Sequence, residues 1–251
     1  MSLPVHLVPA LVGVAVGDVI EVTGDEAHHA VAVRRIRVGE QVVLTDGAGI
    51  AATGTVTGTG KRRLDVEVTA LEEAALPTPQ VTVVQALPKG DRGELAVEVL
   101  TEIGVQRIVP WAAERSVAVW RGERAAKSHA KWANTAREAA KQARRSWFPE
   151  VTELAGTAAV VEMLAGVDTA VVLHEAATVP LVDVPLSASG TIALVVGPEG
   201  GISDKELELF TAAGVTPVRM GQEVMRTSTA GVAAVAALLS RTARWGSSPD
   251  H

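Results

Sequence analysis

The chain has 251 residues, 47% of them hydrophobic, a formal net charge of −6 and no cysteine. This is enough for packed cores in one large domain, or in an ordinary domain plus a small one. The missing cysteine excludes disulfides, thiolate zinc sites, zinc deaminase chemistry and methylation of a pyrimidine C5 through a thiolate adduct. The lack of tyrosine, with only Phe148 and Phe210, argues against an RRM-like sheet of base-stacking aromatics.

Residues 1–75 read as a small β-barrel-like module. Val19–Val22, Gln41–Thr45, Ile50–Val56 and Leu64–Leu71 are β-rich, Asp46-Gly47 is a turn signal, and Gly58–Arg62 is a β-turn with only superficial likeness to a P-loop. Asp25–Arg35 reads as a helix ending in a basic cluster of Arg34, Arg35 and Arg37. The run Leu76-Pro77-Thr78-Pro79-Gln80 can continue neither a ladder nor a helix, so residues 76–80 form the predicted linker.

From Val81 strands and helices alternate: Val81–Leu87, then helix Arg92–Ile103, strand Arg107–Ala112 and a basic helix Glu123–Ser146. Strands recur at Thr169–Leu173, Ile192–Val196 and Pro217–Met220, before an uncharged helix over about Thr229–Leu239. The fold class is therefore α/β, with a parallel sheet over residues 81–245 and a disordered tail at 246–251. Ala126, Ala130, Ala133, Ala140 and Ala143 form the expected apolar side of the basic helix. The first twenty residues lack the apolar run of a signal peptide, and no run reaches membrane-spanning length; a cytoplasmic protein is expected.

Charge is unevenly spread. Nine lysines and arginines and two glutamates lie between Arg115 and Arg145, a local +7 that leaves −13 elsewhere. One basic surface on an acidic protein is the footprint of a polyanion site.

Three strand-to-helix junctions carry the chemistry. In Ile192–Glu206 an apolar strand runs into Gly197-Pro198-Glu199-Gly200-Gly201, and Ser203 with Glu206 forms a capping box for the next helix. The spacing matches neither a dinucleotide fingerprint nor a serine-hydrolase elbow. In Met220–Ala230, Thr227, Ser228 and Thr229 are placed to cap the last helix, and Arg226 is the one cation at the junction. In Gln85–Arg92, Lys89 and Arg92 suit phosphate and Asp91 is placed to cap a helix. His28, His29 and His174 lack a third ligand, so no metal is expected.

Five segments occur in order: Gln85-Ala86-Leu87-Pro88-Lys89-Gly90-Asp91-Arg92, then Thr101-Glu102-Ile103-Gly104 with Glu114-Arg115-Ser116-Val117, then Arg137–Arg145, then Val196–Gly201, then Met220–Ala230. Together they resemble the RsmE family of 16S rRNA uridine-N3 methyltransferases, in the SPOUT superfamily. The resemblance covers nearly the whole chain and implies a PUA-like amino-terminal domain and a carboxyl-terminal domain tied in a deep trefoil knot. It further implies S-adenosylmethionine as cofactor, a homodimer, and 16S rRNA of the small ribosomal subunit as partner. By position, the cofactor loops are Leu173-His174-Glu175, Val196-Gly197-Pro198-Glu199-Gly200-Gly201, and Met220-Gly221 with Met225, Thr227, Ser228, Thr229 and Ala230.

Uridine N3 must lose a proton for attack, so Arg226 is the expected anion stabiliser and Glu199 an orienting or proton-accepting group. Arg34, Arg35, Arg37, Lys89, Arg92, Arg115, Arg137, Lys141, Arg144 and Arg145 are the expected RNA contacts. Two places depart from the family pattern: the start lacks an arginine-rich segment, and Gly221-Gln222-Glu223 stands where Gly-Pro-Arg is usual. A related enzyme acting on another RNA position and a noncatalytic ribosome-binding factor are the alternatives.

Overall fold

The structure is a computed structural model and describes residues 3–187 and 189–246. The expected tail, apart from Gly246, lies outside the described residues. The chain divides into two compact units, one holding residues up to Leu76 together with Ala140–Phe148, the other holding Pro77–Ala139 and the chain from Pro149.

The first unit is a five-stranded sheet. It contains β1 (Val5–Leu7), β2 (Val19–Thr23), β3 (Gln41–Thr45), β4 (Ile50–Gly60) and β5 (Arg63–Glu73), in the order β1-β3-β4-β5-β2. Alternation along β3 and β5 sends Val42, Leu44, Leu64, Val66 and Val68 into one core with Val22, Ala52 and Val56. The three-residue β1 pairs in parallel with β3 and is too short to announce itself in sequence.

The expected helix Asp25–Arg35 is shorter and broken. A single helical turn, α1 (Gly24–His28), passes into a π-turn over His29–Val33, and Arg35 takes φ 58°. Ala27 and Ala30 are fully buried, and the amide of Ile36 reaches back to the Ala30 carbonyl, which brings Ile36 under the sheet. Burial of Ile36 thus overrides the regular helical pattern.

The second unit holds a seven-stranded sheet with every pairing parallel. Its strands are β6 (Gln80–Ala86), β7 (Arg107–Trp111), β8 (Glu150–Val151), β9 (Thr169–Leu173), β10 (Val179–Pro180), β11 (Thr191–Val196) and β12 (Thr216–Arg219). The order is β10-β12-β9-β11-β6-β7-β8. Its helices are α2 (Arg92–Glu102), α3 (Glu123–Gln142, of which the last residues from Ala140 belong to the first unit), α4 (Thr157–Leu164), α5 (Asp204–Ala212) and α6 (Thr227–Leu239).

Both faces of this sheet are covered, which explains the apolar runs of β9 and β11. Along β11, Ile192, Leu194 and Val196 enter one core with Leu100 of α2 and Leu238 of α6. Ala193 and Val195 enter the other core, with Leu164 of α4 and Phe210 of α5. The period of two therefore sorts each strand between two helical layers.

The basic helix departs from expectation twice. It ends at Gln142 rather than Ser146, because Arg144 turns left-handed at φ 53°. Its buried side runs through Trp132, Ala136, Ala139 and Ala140, while Ala126 and Ala130 are exposed. The indole of Trp132 does the packing expected of alanines. It lies against Gly93 of α2, where a Cβ would come within 2.8 Å of the indole nitrogen.

Candidate active site

Because the strands are parallel, β9, β11 and β12, adjacent in the sheet, deliver their carboxyl ends to one edge. The loops that follow enclose a cleft of about 890 Å³ within the second unit. It is lined by Leu173, His174 and Glu175 after β9, by Val196 through Ile202 at the end of β11, and by Met220 through Thr227 after β12, with Ala230. Every residue expected to hold the cofactor lines it except Ser228 and Thr229, which lie inside the first turn of α6.

The glycine loop has a defined floor. Ser203 caps α5, its hydroxyl accepting the Glu206 amide at 3.3 Å, and the Glu206 carboxylate accepts the Ser203 amide at 3.2 Å. The expected capping box is therefore present. Glu199 is exposed, and its Oε1 accepts the amide of Lys89 at 3.2 Å. That bond joins the loop after β6 to the glycine loop and leaves the other carboxylate oxygen to the cleft.

The start of α6 differs from expectation. Arg226 occupies the N-cap with extended dihedrals, and no side chain caps the helix. Thr229 donates its hydroxyl to the Arg226 carbonyl instead of accepting an amide. The first-turn amides of α6 are thus not capped by their own hydroxyls, and Thr227 lines the cleft. Such amides, at the positive end of the helix dipole, suit an anionic or polar group. Asp91 likewise stands at the N-cap of α2 without a side-chain bond.

His174 receives the amide of Ala176 on Nδ1 at 3.3 Å, so the neutral ring carries its proton on Nε2. The fully buried Gln85, at the end of β6, donates from Nε2 to the Ala86 carbonyl and, at 3.4 Å, to that of Thr227.

Of the expected RNA contacts, Arg92 and Arg115 line the cleft beside Arg226. Lys89 and Arg137 are exposed in the second unit, and Arg34, Arg35, Arg37 and Arg144 are exposed in the first. Lys141 is different: its side chain is 10% exposed and its ammonium lies 2.7 Å from Glu26. Arg145 is half-buried. Lys141 therefore serves the fold of the first unit, because a partly buried ammonium is held by its carboxylate rather than offered to phosphate.

Ile202 and Asp204, just past the glycine loop, and Val218 and Arg219, just before the loop after β12, line the cleft without having been expected there. Sequence reasoning also missed Glu114 and Thr157, which bond the Glu206 carboxylate from distant segments. Among the described residues no group of three or more His, Cys, Asp or Glu is placed to hold a metal, and no helix is long and apolar enough to cross a membrane.

Residues 75–239 match the RNA methyltransferase domain family, and residues 22–69 match the RNA methyltransferase PUA domain family. A Mycobacterium tuberculosis protein named ribosomal RNA small subunit methyltransferase E is 44% identical over 92% of this chain and 90% of its own length. The Bacillus subtilis protein of that name is 28% identical over 88% of this chain and 90% of its own. A crystal structure of ribosomal RNA small subunit methyltransferase E from Neisseria gonorrhoeae, bound to S-adenosyl methionine, superposes with a TM-score of 0.85 at 29% identity, covering 95% of this chain and 98% of that one. A Legionella pneumophila protein in complex with the bound cofactor SAM gives 0.89 at 28% identity, covering 96% and 99%. With both matches in chain order, and with its methyltransferase match spanning the parallel sheet and the loops of the cleft, the chain belongs to the RNA methyltransferase family.

Proposed function

We propose that this protein uses S-adenosylmethionine to methylate N3 of a uridine in 16S rRNA of the small ribosomal subunit. The observation that carries the reading is the cleft at the carboxyl ends of β9, β11 and β12, where apolar walls, carboxylates and arginines from separate loops meet. Relatives named for small-subunit rRNA methylation, and similar structures solved with the cofactor, support it.

The residues present fit that cofactor. Leu173, Val196, Ile202, Met220 and Met225 offer an apolar slot for an adenine, and the uncapped amides of α6 suit a carboxylate. Glu175, Glu199 and Glu223 line the same cleft and suit ammonium and sulfonium charge. When bound, the cofactor supplies an electrophilic methyl group.

The protein's own part is orientation and charge control, because in-line displacement requires alignment above all. Arg226, exposed at the head of α6, is held by its backbone while its guanidinium remains available for the negative charge that develops on uridine oxygens as N3 loses its proton. Glu199, fixed by Lys89, orients the reacting groups or takes that proton. Arg92 and Arg115 at the cleft, with Lys89, Arg137, Arg144, Arg145 and the exposed Arg34, Arg35 and Arg37, guide the RNA backbone.

The homodimer, the trefoil knot, the cytoplasmic location and the division into residues 1–75, 76–80 and 81–245 belong to the same proposal. For the division, the change of compact unit at Leu76 and Pro77 is the support, although Gln80 already belongs to β6 and Ala140–Phe148 fall in the first unit rather than in 81–245.

The test is to incubate small ribosomal subunits lacking the modification with purified protein and labelled cofactor, then to map the product by nuclease digestion and mass spectrometry. Label at uridine N3 is expected. Label at a ribose, or no transfer, overturns the reading. Arg226→Ala is expected to lower kcat by roughly a hundredfold while cofactor affinity holds; normal turnover removes its assigned role.

A further inference from the structure

We propose that Glu206 is a positioning residue for RNA: its buried carboxylate locks the segment Glu114-Arg115 against the glycine loop and so presents the Arg115 guanidinium in the cleft. The proposal rests on the reading of that cleft as a methyltransferase site.

Capping α5 uses only one oxygen of Glu206, Oε2, which takes the Ser203 amide at 3.2 Å. An exposed glutamate would do this as well, yet Glu206 is 3% exposed. Burial of a carboxylate is costly unless its lone pairs are filled. The filling comes from outside the helix: Oε1 accepts the Glu114 amide at 2.9 Å and the Thr157 hydroxyl at 3.0 Å. Thr157 in turn accepts the indole N–H of Trp111 at 3.1 Å, and the Ser203 hydroxyl lies 2.7 Å from the Glu114 carboxylate. The end of β7 and the heads of α4 and α5 are joined at this one carboxylate.

What the junction holds in place is the next residue. Arg115 packs its carbonyl and Cβ against Gly200, and its Nη1 reaches the Ile202 carbonyl at 3.4 Å. Its side chain is exposed and lines the cleft. A guanidinium has five N–H donors, so a single long bond leaves most of them for a phosphate. A free arginine loses much rotamer freedom on binding; one whose backbone and first atoms are already fixed loses less.

The test is a double-mutant cycle with Glu206→Gln, Arg115→Ala and the pair, reading KM for small-subunit RNA, kcat and Tm. Each single variant is expected to raise the RNA KM by about tenfold, and the double variant by little more than either. A purely structural Glu206 would lower Tm while its effect on KM stayed independent of Arg115. Multiplicative KM effects, or an unchanged KM in Glu206→Gln, overturn the proposal. Thr157→Val, which removes one donor to Oε1 at constant size, gives a milder version of the same cycle should Glu206→Gln fold poorly. Running the cycle also on equilibrium binding of an rRNA fragment separates the two readings: absent methyl transfer with the coupling intact would sink the function and spare the positioning role.

Discussion

The carbonyl oxygen of Arg115 stands 2.8 Å from the point that a Cβ on Gly200 would occupy. The neighbour is backbone, held from beneath by the Glu206 carboxylate through the adjacent Glu114 amide, so it cannot swing aside. Gly200→Ala is therefore expected to part the glycine loop from the Arg115 segment. Methyl transfer should fall by about tenfold or more in kcat/KM, since misplacement of about 1 Å is enough for that. Tm should drop by only a few degrees, roughly what an overpacking cost of about 1 kcal/mol produces in a chain of this size. Full activity in this variant would show that the two segments move freely.

How much of this was legible follows from where each signal resides. The strand β9 was readable to the residue and β11 to within one because both are apolar runs in a parallel sheet; β12, Thr-Pro-Val-Arg, was also placed to within one, though only Val218 in it is buried. The Ser203 and Glu206 box was readable because its partners are three residues apart. The bond from Glu206 to Glu114 spans 92 positions, and no local pattern encodes it. The same holds for Lys141. On the helix it is one of several bases at solvent spacing, and only the fold reveals Glu26, 115 positions away. The buried face of α3 was misread because alanine is neutral as to side, whereas Trp132 against Gly93 decides which way the helix turns.

Glu26 gives the protein an acid-sensitive element. Burial alone pushes its carboxyl upward, but the His6 ring, 3.6 Å away, and the Lys141 ammonium bring it down to about 2 from a usual 4.5. A carboxyl lowered on folding contributes stability that is complete above about 4.5 and is lost as the pH falls towards 2. With solvent screening at this half-buried carboxylate, the contribution is about 2 kcal/mol. Lys141→Ala is expected to destabilise the protein at pH 7 by about 2 kcal/mol and to flatten the loss of stability in that acid window. Denaturant melts at several pH values measure both, and an unchanged acid limb would show that the pair contributes nothing.

Gly93→Ala sets two effects against each other. Alanine in a helix gains about 1 kcal/mol over glycine. Its Cβ, however, would lie 2.8 to 3.1 Å from three atoms of the Trp132 indole, which is 3% exposed and has a second ring, Trp120, at 5.0 Å. Overpacking of a rigid ring costs about 1–3 kcal/mol, so the net is a destabilisation of about 1 kcal/mol. A guanidinium melt followed by tryptophan emission reads both the loss and the displaced indole. A more stable Gly93→Ala would mean that α3 yields easily at this contact.

Arg144 ends α3 in the left-handed region at φ 53°, with the amide of Arg145 bonded to the Ala140 carbonyl at 2.9 Å. Glycine is the usual occupant of such a terminus, and a side chain there costs about 1 kcal/mol. Arg144→Gly is thus expected to stabilise the protein by about 0.5–1 kcal/mol. If the exposed guanidinium meets an RNA phosphate, as proposed, the same variant binds RNA more weakly, and its affinity depends less steeply on salt by about one unit of slope. Arg144→Asn, which also tolerates the left-handed region, should fall between the two in stability and match glycine in binding. A gain in stability with unchanged RNA affinity would leave the strained arginine without its proposed contact. A gain accompanied by weaker binding would mean that the strain at this helix end is retained for the charge it places there.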